Sequence, residues 1–140
     1  MIVTAENGAG HSVATYLGEF FIGAGQGNML HPLVGVYSIV MGLFIPAAGA
    51  KWVLEAPYVL AAGNETGSNL GWLVTTYNGT EALANFLNPF WMLPVLGLLS
   101  LKARNVVGFT FVYFIVLTPV MIAAFWLLSY TLPYVPPVMP

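Results

Sequence analysis

Cysteine and aspartate are both absent, and of 140 residues only three Lys or Arg and five Glu carry charge. Without cysteine there is no disulfide framework, no thiolate metal site and no cysteine nucleophile. Charged residues make up 6% of the chain, against about 25% in a soluble domain. A water-facing surface of this size needs several times more charge, so an ordinary soluble globular domain is excluded. With so few basic residues no stripe tracks phosphates, which excludes a nucleic-acid partner. What is present in quantity is apolar: 59% of residues are hydrophobic, and the mean hydropathy is +0.84. The chain reads as an all-α integral membrane protein with the lipid bilayer as its solvent.

The distribution of the polar residues divides this single transmembrane domain into segments. No charge occurs from Asn105 to Pro140. The run from Val106 to Leu132 exceeds the roughly 20 apolar residues that span a bilayer, which predicts one long transmembrane helix over 105–132. Pro119 is tolerated inside it because neighbouring groups in a membrane bundle re-satisfy the freed carbonyl. Trp126 and Tyr130 suit an interfacial anchor, and the Pro-rich tail 133–140 cannot continue the helix.

Upstream, every apolar run is short and broken. Residues 1–10 are polar and small, without the positive start of a signal peptide. Residues 11–27 suit an amphipathic or re-entrant segment carrying Glu19. Its closing glycines follow no strand and open no βαβ unit, so a nucleotide site is rejected. Leu33 to Ile45 and Trp52 to Ala62 are each too short for a full span, and between them lie Pro46, Ala47, Ala48, Gly49, Ala50 and Lys51. Two half-length segments joined by small residues predict a re-entrant hairpin over 33–62 with its tip at 46–51, a form that survives at membrane depth only inside protein or beside a cavity.

A second interruption falls within 68–101. Leu70 to Tyr77 and Phe90 to Leu101 flank a polar stretch holding Asn78, Thr80, Glu81, Asn85 and Asn88, which predicts a helix broken near the bilayer middle. Such interrupted segments point to substrate and ion sites in secondary transporters, because half-helix ends present free N–H and C=O groups there. Lys51 and Glu55 stand four residues apart, which predicts an ion pair on one helix face. An intramembrane charge is expensive enough to mark function. His11 and His31 cannot share a helix face, so no metal site is expected. No Ser/His/acid arrangement suggests an enzyme, and no cofactor is expected.

Three motifs then become recognisable: GLFIPAAGAKWVLEAP over 42–57, NFLNPFWMLP over 85–94 and LSLKARN over 99–105. In this order and spacing they resemble the C-terminal part of the short-chain fatty acid transporter family of the ion-transporter superfamily. The resemblance implies a secondary-transporter fold with two inverted repeats, each containing a re-entrant hairpin and a broken helix, of which this chain reads as one. It also implies a bacterial inner-membrane location and a small carboxylate with a coupling cation, for which the candidate binding residues are Gly49, Lys51, Asn78, Thr80, Glu81, Asn85 and Asn88. Glu81 keeps the acidic position of the broken helix and Asn85 matches directly. At the tip, Ala47, Ala48 and Ala50 stand where the family tends to carry a hydroxyl and glycines, and Lys51 stands in place of a neutral amide. Two functions are therefore carried forward. One is small-carboxylate transport within an assembly, with a homo-oligomer or a separately encoded partner subunit. The other is a non-transporting structural subunit, derived from a transporter fragment, of a larger membrane complex. Lys102 and Arg104 place their loop in the cytoplasm by the positive-inside rule.

Overall fold

The computed structural model describes residues 13–136; the polar start 1–10, His11 and the last residues of the tail lie outside them. Among the described residues there are six helices and no strand: α1 Val13–Ala24, α2 Leu30–Phe44, α3 Ala48–Glu65, α4 Leu70–Asn85, α5 Pro89–Leu98 and α6 Ala103–Ser129. Local chemistry sets their ends. The chain turns after α1 through Gly27 and Asn28, both in the left-handed region with φ of +63° and +67°, a conformation that glycine and asparagine adopt at least cost. Pro46, which has no N–H to donate, separates α2 from α3. Asn69 caps α4 by accepting a hydrogen bond from the Trp72 N–H at 2.9 Å, and Asn88 caps α5 by accepting from the Phe90 N–H at 3.0 Å.

The sequence pattern predicts a polar interruption over 78–89, whereas the helix is continuous to Asn85 and breaks only across 86–88. The reason is local. Asn78 donates from Nδ2 to the Val74 carbonyl at 2.9 Å, and Thr80 donates from Oγ1 to the Thr76 carbonyl at 2.7 Å. These side chains satisfy themselves on the preceding helical turn and leave the ladder intact.

The most extensive helix contact joins α2 to α4, and it runs along two stripes of small residues. Gly35, Ser38 and Gly42 recur on one face of α2, while Thr76, Thr80 and Ala84 recur every fourth residue on α4. A Cβ placed on Gly35 would lie 3.2 Å from Thr80 Cγ2, and one on Gly42 would lie 2.9 Å from Ala84 Cβ. The two helices therefore run parallel at close backbone approach, the mode expected where lipid removes the hydrophobic drive and packing must supply the attraction. Helix α3 returns antiparallel to α2, bringing the Tyr58 and Tyr37 hydroxyls to 2.6 Å. Helix α1 covers α3, with the Phe21 ring parallel to that of Tyr58 at 6.2 Å. Phe21, Leu30, Val34, Val59, Leu73 and Tyr77 form the buried core of these four helices.

Helix α6 lies against α4 and α2, held by the Trp72 indole N–H donating to the Phe125 carbonyl at 3.0 Å. At 27 residues it is about 40 Å long. Its most apolar 18-residue window has a mean hydropathy of 2.4, with none of it buried. The start of the tail is pinned to the α3–α4 connection: Asn69 Nδ2 donates to the Pro133 carbonyl at 2.8 Å, and the Tyr134 hydroxyl donates to Asn64 Oδ1 at 2.6 Å.

Candidate functional site

Where α2, α3 and α4 meet, the bundle encloses a polar centre built on Lys51. This residue sits in the first turn of α3 and its side chain turns inward, leaving it only 1% exposed. Its Nζ donates to the Ser38 carbonyl at 3.0 Å and to Ser38 Oγ at 3.4 Å, and it lies 3.4 Å from Glu81 Oε1 on α4. The ammonium also sits over the Tyr77 ring, 4.7 Å from its centroid, where the negative face of the ring attracts a cation. Ser38 in turn donates from Oγ to the Tyr77 carbonyl at 2.9 Å, tying α2 to α4 behind the ion pair.

The ion pair corrects the expectation of a Lys51 to Glu55 bridge. Glu55 is buried one turn further along α3, but its Oε2 accepts the hydroxyl of Tyr77. Lys51 instead reaches across to α4. Helical spacing places residues four apart on one face, but long side chains choose the partner that compensates their burial best, and here two acceptors on α2 and a carboxylate on α4 surround the ammonium. Glu81 Oε2 is buried and has no hydrogen-bond partner.

The other residues singled out from the sequence divide. Thr80 is buried beside Glu81 but spends its hydroxyl on the α4 backbone. Asn78 is exposed and bonded to its own helix. Asn88 is the α5 cap. Asn85, one turn beyond Glu81, lines a largely apolar cavity of about 360 Å³ between α4, α5 and α6, together with Phe86, Trp91, Met92, Leu96 and Thr110. At the hairpin tip, Ala47, Ala48, Gly49 and Ala50 are exposed, and a Cβ at Gly49 would meet nothing within 4 Å. The α3 N-terminus has no side-chain cap, so its first-turn N–H groups and the positive end of its dipole are left open next to Lys51.

Sequence reasoning missed Ser38 and Tyr77. Ser38 lay in an apolar helix, where the available signal was the Gly35, Ser38 and Gly42 stripe, which marks a close helix contact; Tyr77 closed the apolar run just before the polar stretch of α4. Glu19 is on the exposed side of α1, and His31 is buried at the start of α2 with neither ring nitrogen hydrogen-bonded. No group of three or more His, Cys, Asp or Glu that would hold a metal occurs among the described residues.

Comparison with known proteins names the lineage of this bundle. The family model for short chain fatty acid transporters matches residues 1–128. This chain belongs to the short-chain fatty acid transporter family. A candidate short-chain fatty acid transporter of Haemophilus influenzae is 30% identical over 110 residues, which is 79% of this chain and 25% of that protein. One from Escherichia coli K12 is 30% identical over 91 residues, 65% of this chain and 21% of that protein. The chain thus spans about a quarter of the length of these transporter relatives. No solved structure matches it. Membership in this transporter family and the long apolar α6 make it a membrane protein, and the Lys51 centre lies within the region that the family model covers.

Proposed function

We propose that this chain carries the carboxylate-binding centre of a secondary transporter for small carboxylates, working within a larger assembly in a bacterial inner membrane. The observation that carries the reading is the Lys51 ammonium, buried in an apolar bundle and already paired with a carboxylate, that of Glu81. A group held in that way binds the head of a small organic acid by the same chemistry, through charge-assisted hydrogen bonds strengthened by the dry surroundings. The open N-terminus of α3 supplies further N–H donors on the approach to it. In this reading the tip residues Ala47, Ala48, Gly49 and Ala50 are exposed and the α2–α3 hairpin enters and leaves from one side of the membrane. The exposed apolar flank of α5 and α6, including Leu98 and Phe109, is covered by lipid and by the remainder of the assembly.

The test is uptake by the native assembly, purified in mild detergent through a tag on this chain and reconstituted in vesicles. Saturable uptake of labelled acetoacetate is expected, and Lys51→Met should lower it at least tenfold. The double variant Lys51→Met with Glu81→Gln removes both members of the ion pair together, and it should be equally inactive. A Lys51→Met assembly that takes up acetoacetate like the parent would make the centre a structural device. An assembly without any saturable uptake would favour the non-transporting subunit.

The proposed topology has its own check. Lys102 and Arg104 are the basic residues at the start of α6, so their loop is assigned to the cytoplasm and the tail to the opposite side. Reporter fusions after Arg104 and after Pro140 should give opposite signals; two signals from the same side would overturn the assignment.

A further inference from the structure

The cavity between α4, α5 and α6 takes no part in the Lys51 centre, and its surroundings specify a ligand. Its volume of about 360 Å³ lies at the lower end of the range for sites that hold one small molecule, roughly 300–1,000 Å³. Leu96 is a buried part of the wall, while Trp91 and Val95, which also line it, are 52% and 55% exposed. The cavity therefore opens on the outer flank of α5. Of the two polar side chains in the wall, the Thr110 hydroxyl donates to the Val107 carbonyl of its own helix at 3.1 Å. The Asn85 amide makes no hydrogen bond among the described residues. No charged residue lines the wall, so what enters is an apolar chain and any charge stays at the rim.

That rim is basic. The Leu101 N–H donates to the Leu96 carbonyl at 3.0 Å, which folds the α5–α6 connection back against the Leu96 end of the cavity. Lys102 follows at once as the N-cap of α6, and Arg104 stands in its first turn. Both are exposed and within a turn of the wall residue Val106. Lys51 is buried against Glu81, so these two are the remaining basic residues of the chain. Neither is in an ion pair among the described residues, and no acidic residue follows Glu81. The length of α6, about 40 Å, matches the hydrocarbon core together with its headgroup layers. Val106 and Thr110 then sit about 5 and 10 Å inside the start of the helix, where a lipid passes from headgroup to hydrocarbon.

We infer that this cavity is the site of one acyl chain of an anionic phospholipid, whose headgroup phosphate rests on Lys102 and Arg104. The chain lies against Leu96, Val106 and Trp91, and the Asn85 amide offers its N–H to a lipid ester carbonyl. At the rim the phosphate accepts charge-assisted hydrogen bonds from the two basic side chains. A zwitterionic headgroup brings a positive group against both cations, and that repulsion selects the anionic lipid. A short free carboxylate meets the same cations, but its tail is too short to fill the cavity. Bound there, the lipid fills the space beneath α5, a helix that packs chiefly on α6, and holds it to the bundle. The inference is independent of what the assembly transports.

The experiment uses the native assembly in phosphatidylcholine vesicles containing phosphatidylglycerol as a minor component, with bromine on the acyl chains of a fixed fraction of one lipid or the other. The Trp91 signal is the difference in tryptophan fluorescence between the parent and Trp91→Phe. Brominated phosphatidylglycerol should quench it at least about threefold more than an equal amount of brominated phosphatidylcholine. Lys102→Gln with Arg104→Gln should bring the two lipids level. Ala82→Leu, which fills the cavity from α4 and keeps both cations, should do the same. Equal quenching in the parent, or a preference that survives either change, would overturn the site. Relief of the quenching by added butyrate would assign the rim to a free carboxylate and overturn it as well. A second reading needs no variant: carried into mild detergent from vesicles of equal phosphatidylglycerol and phosphatidylcholine, the parent should retain phosphatidylglycerol over phosphatidylcholine by at least about threefold, and equal retention would count against the inference.

Discussion

Lys51→Met should destabilise the purified protein by about 3–5 kcal/mol, because it removes the ammonium and leaves the Glu81 carboxylate buried without a counter-ion. Methionine is nearly the same length, so the loss measures charge and hydrogen bonds with little added cavity. Adding Glu81→Gln should recover most of the loss, since a neutral amide no longer needs a cation. Adding Glu55→Gln to Lys51→Met should recover much less, because Glu55 depends on Tyr77. This pair of double-mutant cycles separates the two partners: helical spacing favours Glu55, while the folded bundle places Glu81 at 3.4 Å. Unfolding followed by tryptophan fluorescence in mixed micelles reads the differences. Better rescue by Glu55→Gln than by Glu81→Gln would refute the assigned ion pair.

The second large effect is expected at the α2–α4 crossing. Gly42→Ala puts a methyl 2.9 Å from Ala84 Cβ, closer than two carbon atoms pack, and both atoms stand on helix backbones that cannot step aside singly. Overpacking of this kind costs about 1–3 kcal/mol. It should also part the Lys51 centre, because Glu81 lies on the same face of α4 one turn before the clash. The compensating change Ala84→Gly returns the space and should restore stability in the double variant. Gly49→Ala provides the contrast: its Cβ meets nothing within 4 Å, and in the first turn of α3 the change should be neutral or slightly stabilising. Equal effects at Gly42 and Gly49 would mean that the close approach of α2 to α4 is not a feature of the folded protein.

Local chemistry, readable from the chain alone, settled the solvent and the punctuation. Eight charges in 140 residues leave no means of covering a water-facing surface, so the apolar character of α6 follows from composition. Pro46 between α2 and α3, and Asn88 with Pro89 at the start of α5, act on their own neighbours through a missing N–H or a capping oxygen. Their effects are therefore visible without a fold. The same locality misled at Asn78 and Thr80, which look like breaks in a membrane segment but bond back to Val74 and Thr76. The three motifs likewise identified the family before any helix was placed.

Tertiary structure alone decided who pairs with whom. Lys51 and Glu81 are thirty residues apart, and nothing in that separation distinguishes Glu81 from Glu55 as the partner. The choice is made by the parallel packing of α2 on α4, which brings the Ser38 backbone and the Glu81 carboxylate to one place and turns Tyr77 toward Glu55. Ser38, a fully buried residue, is in sequence only one small residue in an apolar helix. Gly35 and Gly42 let α2 come close enough to α4 for the Ser38 hydroxyl to reach the Tyr77 carbonyl, while its own carbonyl accepts from a lysine on a third helix. Composition and punctuation are sums over neighbours along the chain; an ion pair in a low-dielectric bundle depends on geometry between distant residues, and only the assembled helices supply it.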